Sequence, residues 1–186
     1  MFSTILSFEL KYRFKRPATW GYWAVMFLFS LVLALFGSVS ISGGSSEKVF
    51  INGPAIAGVF IAVMSVFGIM LATAVMGVPV YRDIEHKTQN YYFSYPISEK
   101  SYLMGRFIGS FLTLLFIGSG MIVGHLVGCL IGQLFDVGDN VERIGPYNLL
   151  NYLWPYLVVG VPNLFFAGSL FFSLVALTKR VFVTYA

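Results

Sequence analysis

Charge is scarce in this chain, and negative charge scarcer still. Asp, Glu, Lys and Arg make up 11% of its 186 residues, and only eight residues are acidic. Soluble domains carry about 25% charged residues, so a water-facing surface of the ordinary kind is excluded. The hydrophobic share is 58%, above the roughly 45–50% of soluble proteins. A single cysteine, Cys129, excludes an intramolecular disulfide. The motifs G-x-S-x-G, H-E-x-x-H, Cys-x-x-Cys and G-x-x-x-x-G-K-[ST] are all missing. The chain therefore has no P-loop with which to bind ATP, and it reads as no enzyme, with no catalytic residue, cofactor or metal assigned. No basic tract with interleaved aromatics stands apart from the apolar runs, so nucleic acid is not an expected partner. A cleaved signal peptide is not expected either. The first apolar run starts only near Thr19, is too long for a signal core, and lacks a small-x-small cleavage site.

The charges that do occur are placed with a pattern. Ten of the twelve Lys and Arg lie in three segments: Lys11, Arg13, Lys15 and Arg16; Arg82, Lys87, Lys100 and Arg106; Lys179 and Arg180. The other two, Lys48 and Arg143, share their short loops with Glu47, Asp136, Asp139 and Glu142. Between the segments run four apolar stretches. Each is long enough to cross a bilayer, which takes about 20 helical residues at about 1.5 Å each. The positive-inside rule then puts both termini and the 81–106 loop in the cytoplasm. The expected fold is all-α: a polytopic transmembrane helical bundle of four spans, preceded by an interfacial amphipathic helix over 1–18. The transmembrane domain covers 19–186, with spans near 19–37, 54–80, 100–135 and 155–177.

Local signals refine this outline. Phe2, Ile5, Leu6, Leu10 and Phe14 alternate with Lys11, Arg13, Lys15 and Arg16, which predicts a helix lying in the headgroup region. Pro17 ends it. Trp20, Tyr22 and Trp23 suit the inner interface, and Tyr152, Trp154 and Tyr156 are expected to anchor the fourth span outside. Gly77 and Pro79 predict a local bend in the second span. Ser98 reads as the N-cap of the third, with Glu99 in its first turn. A short surface helix is expected around Tyr147–Tyr152, and Pro162 and Asn163 are expected to interrupt the fourth span. Gly120, Gly124, Gly128 and Gly132 recur every four residues and form one smooth stripe, which predicts a helix-packing face.

Candidates for chemistry within the spans are few. His125, Cys129 and Gln133 follow one another at four-residue spacing on a single face. A metal site needs three or four ligands, and no second pair stands on the other spans. His125 is expected to bond to a Ser, Thr or Asn of a neighbouring helix. No carboxylate lies within a span, whereas ion-coupled carriers keep them at mid-membrane. Any energy for transport would then come from elsewhere.

The 81–106 loop is dense in charge and in aromatics, with Tyr91, Tyr92, Phe93 and Tyr95 close together. Aromatic clusters rimmed by charge mark interaction sites, with the lipid headgroups as the other place for such rings. The pattern Arg82-Asp83-x-Glu85-x-x-Thr88, followed by Tyr95-Pro96-Ile97-Ser98 and Tyr102-Leu103-Met104-Gly105-Arg106, resembles the ABC-2 type permeases of ATP-binding-cassette transporters. Phe8-Glu9-Leu10 and Arg16-Pro17 are similar to the interfacial connecting helix of that family. The chain departs from the family at His86-Lys87, where a glycine is common. It also departs in supplying four spans where six are usual, and an apolar run of Val181, Phe182 and Val183 begins just before its end, so a longer protein is expected.

The resemblance implies a permease subunit in a bacterial cytoplasmic membrane, driven by a separate ABC ATPase subunit docked on the 81–106 loop. A coupling helix would lie within Thr88–Ser94. Tyr91, Tyr92 and Phe93 would fill a groove on the ATPase, with Thr88, Tyr95 and Pro96 beside them. Arg82, Asp83 and Glu85 would hold the loop by charge pairs. Further expected partners are a second permease subunit, as a homodimer or heterodimer, and the lipid bilayer. A membrane scaffold that recruits a cytoplasmic protein without transport is the alternative reading.

Overall fold

The computed structural model describes residues 2–36, 50–85, 98–138 and 141–178. Thr88, Tyr91, Tyr92, Phe93, Tyr95 and Pro96, and with them the expected coupling helix, lie outside the described residues. The described elements are α1 (Phe2–Phe14), α2 (Pro17–Phe36), α3 (Pro54–Met76), α4 (Val78–Glu85) and α5 (Glu99–Phe135). A 3-10 turn (Val141–Arg143), α6 (Leu150–Pro155), a π-helical segment (Tyr156–Gly160) and α7 (Val161–Thr178) follow. No strand occurs among the described residues. Four helical stretches are long and apolar enough to cross a membrane: Pro17–Phe36, Pro54–Asp83, Glu99–Phe135 and Leu150–Thr178. Val25, Leu28 and Val32 on α2, and Val63, Val66 and Met70 on α3, point outward. Helices apolar on every side suit a lipid surround, where those faces cost nothing. The chain is an all-α, multi-pass membrane protein.

The junctions follow from backbone chemistry. Pro17 is the first residue of α2, where its missing N–H is no loss. The last carbonyls of α1 run out of i+4 N–H partners, and side chains at the start of α2 donate to them. Thr19 Oγ1 donates to the Arg13 carbonyl at 2.8 Å, and Trp20 Nε1 to the Phe14 carbonyl at 3.0 Å. Gly77 separates α3 from α4, and a Cβ there would stand 2.7 Å from Val175 Cγ2. Ser98 Oγ accepts from the Ser101 N–H at 3.3 Å and caps α5, with Glu99 in the first turn.

The fourth span differs from expectation in three ways. It starts at Leu150, because the short helix expected on the surface is its first turn. Pro162 and Asn163 do not interrupt it. Pro162 offers no N–H to the carbonyl four residues back, and its ring crowds that carbonyl. The helix widens just before it into the π-helical segment, where the Val161 N–H donates to the Tyr156 carbonyl. Asn163 Nδ2 donates to Ser65 Oγ at 3.0 Å, so its amide is used in packing. Finally, Tyr152 and Tyr156 are buried and only Trp154 is exposed. Residues four apart share a helix face while the one between them lies opposite, so the three rings cannot all anchor outward.

The residues divide into two compact units. One comprises the described parts of 1–20, 69–116 and 164–186. Its apolar core includes Ala72, Met76, Leu114, Leu164, Ala167 and Val175. Phe107 meets Phe172 and Phe165 edge-on at 5.2 and 6.0 Å. Polar burial in this unit is concentrated around Glu9.

The other unit comprises the described parts of 21–68 and 117–163. Here α2 lies backbone-close against α5. A Cβ on Gly120 would stand 2.8 Å from the Trp23 carbonyl oxygen, and one on Gly128 would stand 2.7 Å from Ala34 Cβ. At Gly124 a Cβ would run into the Phe27 carbonyl oxygen. Ser30 Oγ donates to the Met121 carbonyl across the same seam. Gly132 stands apart, nearest the Val137 carbonyl of the following loop. Asn52 closes this unit's loops: its Nδ2 donates to the Gly145 carbonyl at 2.6 Å and its Oδ1 accepts from the Gly145 N–H at 2.8 Å.

Candidate functional site

The candidate site is a buried charge cluster in the first unit. It begins on α1, where Glu9 and Arg13 are one helical turn apart and face inward, while Phe2, Phe8 and Phe14 are exposed. Polarity does not sort the faces of α1 in the way an amphipathic pattern implies, because α1 buries an ion pair. Arg13 Nε donates to Glu9 Oε1 at 2.7 Å. Arg13 Nη2 donates to the Val75 carbonyl at 2.8 Å and to Ser110 Oγ at 3.1 Å. The Val75 carbonyl is open for a reason legible in the chain. Its helical partner would be the N–H of residue 79, and residue 79 is proline.

From α5 comes Arg106, brought close by two glycines. A Cβ on Gly105 would stand 2.9 Å from Ile5 Cγ2, and one on Gly109 would stand 2.9 Å from Glu9 Cγ. Small residues there let α1 lie against α5. Arg106 Nη1 pairs with Glu9 Oε2, and its Nη2 pairs with Asp83 Oδ2 at 2.6 Å. Tyr102, one turn earlier, donates its hydroxyl to the same Asp83 oxygen at 2.6 Å. Arg82 on α4 reaches Glu9 Oε2 at 3.3 Å and Asp83 Oδ1 at 3.9 Å.

Glu9 is 0% and Arg106 1% exposed. Burial by itself would raise the Glu9 pKa. The attraction of Arg13 and Arg106, the Arg13 hydrogen bond and the Arg82 charge outweigh it and hold the carboxyl below its usual range. Among the described residues the cluster holds no nucleophile–base pair and no group of three metal-ligating residues. Its geometry has a mechanical consequence. α4 ends at Glu85 and α5 begins at Glu99, so Asp83 and Arg106 fix both flanks of segment 86–97 to one carboxylate on α1.

Of the residues assigned from sequence, Arg82 and Asp83 fall in this cluster. Glu85 is exposed and forms no ion pair among the described residues. The roles of Glu9, Arg13, Tyr102 and Arg106 in one cluster were not foreseen. One signal was there: Glu9 is the sole acid before Glu47, it stands among four cations, and Arg13 follows it at helical spacing.

His125, in the second unit, departs from expectation. Its Nε2 is buried with no hydrogen-bond partner among the described residues. The ring stacks on Phe60 at 4.2 Å and meets the Tyr152 ring edge-on at 5.5 Å. Ring stacking has taken the place of the expected polar bond. Cys129 is buried one turn on, while Gln133 is exposed, so the buried face ends before Gln133.

No family model, no curated protein and no solved structure matches the chain.

Proposed function

We propose that this chain is the transmembrane permease subunit of an ABC-2 type ATP-binding-cassette transporter. It moves a substrate across a bacterial cytoplasmic membrane using ATP hydrolysed by a separate ATPase subunit. Both termini and the 81–106 loop face the cytoplasm, and a second permease subunit completes the pathway. The motif resemblance in the 81–106 loop supports this reading. The observation that carries it is the position of the charge cluster. A partner docked on residues 86–97 pulls on α4 and α5 together, because Asp83 and Arg106 are paired with each other and Arg106 with Glu9. A force on the loop then moves α1, α4 and α5 as one body, which is what a coupling element requires.

The test is co-expression with a candidate ABC ATPase subunit. Tyr92→Ala combined with Phe93→Ala is expected to release the ATPase at matched membrane expression, since aromatic anchors of an interface are worth about 2 kcal/mol or more each. Lys48→Ala in the loop between the first two spans is expected to retain it. Full retention in the double variant, with hydrolysis still stimulated, would overturn the dock. Binding of an ATPase whose hydrolysis the membrane protein never alters would favour the scaffold reading.

A further inference from the structure

The charge cluster is unbalanced. Among the described residues, three guanidiniums, of Arg13, Arg82 and Arg106, form ion pairs with two carboxylates, those of Glu9 and Asp83. Arg13 and Arg106 are well used, by the pairs described above and by Val75 and Ser110. Arg82 is not. Its contacts, at 3.3 and 3.9 Å, are the longest in the cluster, and its side chain is 16% exposed against 9% for Arg13 and 1% for Arg106. The surplus positive charge therefore sits at the rim, on Arg82. Glu85, the next acid on α4, does not pair with it.

At that rim a second guanidinium waits. The Cζ of Arg82 lies 4.3 Å from the centroid of the Tyr12 ring, and the Cζ of Arg16 lies 4.6 Å from the same centroid. Arg16 also donates from Nη2 to the Tyr12 hydroxyl, and it is otherwise exposed. Two guanidiniums held on one ring are no farther apart than the sum of those distances. A phosphate group that reaches both would accept charge-assisted hydrogen bonds of about 2.7–2.9 Å from them. Arginine's planar fork suits such a group. Lys11 and Lys15 are exposed on the same helix and add positive potential. Phe8 stacks on Tyr12 at 6.2 Å and is half exposed, and Phe2, Phe14 and Trp20 are exposed as well. An exposed ring beside Tyr12, with further exposed rings on the same and the following helix, fits a ligand that carries hydrocarbon.

We propose that Arg16 and Arg82, braced by Tyr12, bind the headgroup phosphate of an anionic phospholipid whose acyl chains meet the exposed rings of α1. The phosphate completes the charge balance of the cluster and seats α1 in the membrane. The proposal rests on the membrane-spanning helices and on this cluster, and not on the transport reading.

The full chain, purified in mild detergent, is tested by native mass spectrometry and by thermal unfolding. The probes are phosphatidylglycerol, phosphatidylcholine and inorganic phosphate. Wild type is expected to retain phosphatidylglycerol in preference to phosphatidylcholine and to melt several degrees higher with it. Arg16→Gln changes an exposed residue and leaves the buried pairs intact. It is expected to bind phosphatidylglycerol about tenfold more weakly, the weight of one hydrogen bond to a charged group. Lys100→Gln, exposed elsewhere on α5, is expected to bind as wild type does. Equal retention of the two lipids, or unchanged phosphatidylglycerol binding in Arg16→Gln, would overturn the site. Protection by inorganic phosphate equal to that by phosphatidylglycerol would overturn the lipid as its occupant.

Discussion

Glu9 and Arg106 stand 97 positions apart in the chain and form an ion pair that water does not reach. Glu9 also serves Arg13 and Arg82, so one carboxylate ties α1 to α4 and α5. Removing it would leave three guanidiniums with the one carboxylate of Asp83 among them, and Arg13 without an ion pair. Breaking a buried pair by deleting one partner costs about 3–5 kcal/mol, since the survivor stays buried and uncompensated. Glu9→Gln is therefore expected to lower the melting temperature in detergent sharply. Glu85→Gln, on an exposed carboxylate, is expected to change it little.

The same carboxylate sets an acid limb on stability. Its folded pKa lies below its unfolded value of about 4.3, so the folded state binds the proton less readily than the unfolded one. Its contribution is complete above the unfolded pKa and is lost as pH falls through the folded one. The stability gap between wild type and Glu9→Gln is expected to stay constant from neutral pH to about pH 5 and to narrow below about pH 4. Denaturant unfolding of both proteins across that range checks it. A gap that widens toward acid would show the sign to be wrong.

Two glycines of the spans should respond oppositely to a single methyl group. Gly124→Ala pushes a Cβ into the Phe27 carbonyl, and the two backbones must separate, at a cost of about 1–3 kcal/mol. Gly21→Ala meets nothing within 4 Å. It is expected to be neutral or to stabilise by up to about 1 kcal/mol, the helix preference of alanine over glycine. Thermal melts of the two variants side by side decide it.

His125→Phe keeps a flat ring against Phe60 and removes a buried nitrogen that has no hydrogen-bond partner among the described residues. An unpaired polar group costs about 1–3 kcal/mol to bury. The variant is expected to be as stable as wild type or more so, measured by the same melts. A clear loss of stability would show that Nε2 is engaged in the folded protein.

Orientation is open to direct labelling. In a Cys129→Ser background, cysteines at Ser45 and Asn140 are expected to react with an impermeant reagent added outside sealed cells. One at Gln89 is expected to react only after the membrane is opened. Labelling at Gln89 but not at Ser45 would invert the topology.

The helices themselves were legible in the chain. Crossing a bilayer requires length and apolarity, both local properties, and all four expected spans overlap the four apolar helices. The glycine spacing was equally local, but the partner helix was not. Nothing within 117–135 says that Phe27, Ser30 and Ala34 of α2 come to lie against Gly124 and Gly128. Pro162 was misread because the rule that proline breaks a helix describes an isolated helix. Here the turn before it widens, and Ser65 on another helix holds Asn163 in line.

By itself, then, the sequence determined that this protein is helical, that it crosses a membrane several times, and where the chain is apolar enough to do so. Lipid rewards any sufficiently apolar helix regardless of its neighbours. Only the tertiary structure decided what becomes of the charges. A carboxylate beside four cations reads as a wet interfacial flank until Gly105 and Gly109 let α1 lie on α5 and Pro79 leaves the Val75 carbonyl open for Arg13. Burial of Glu9 depends on partners up to 97 positions away, and no window of sequence contains them.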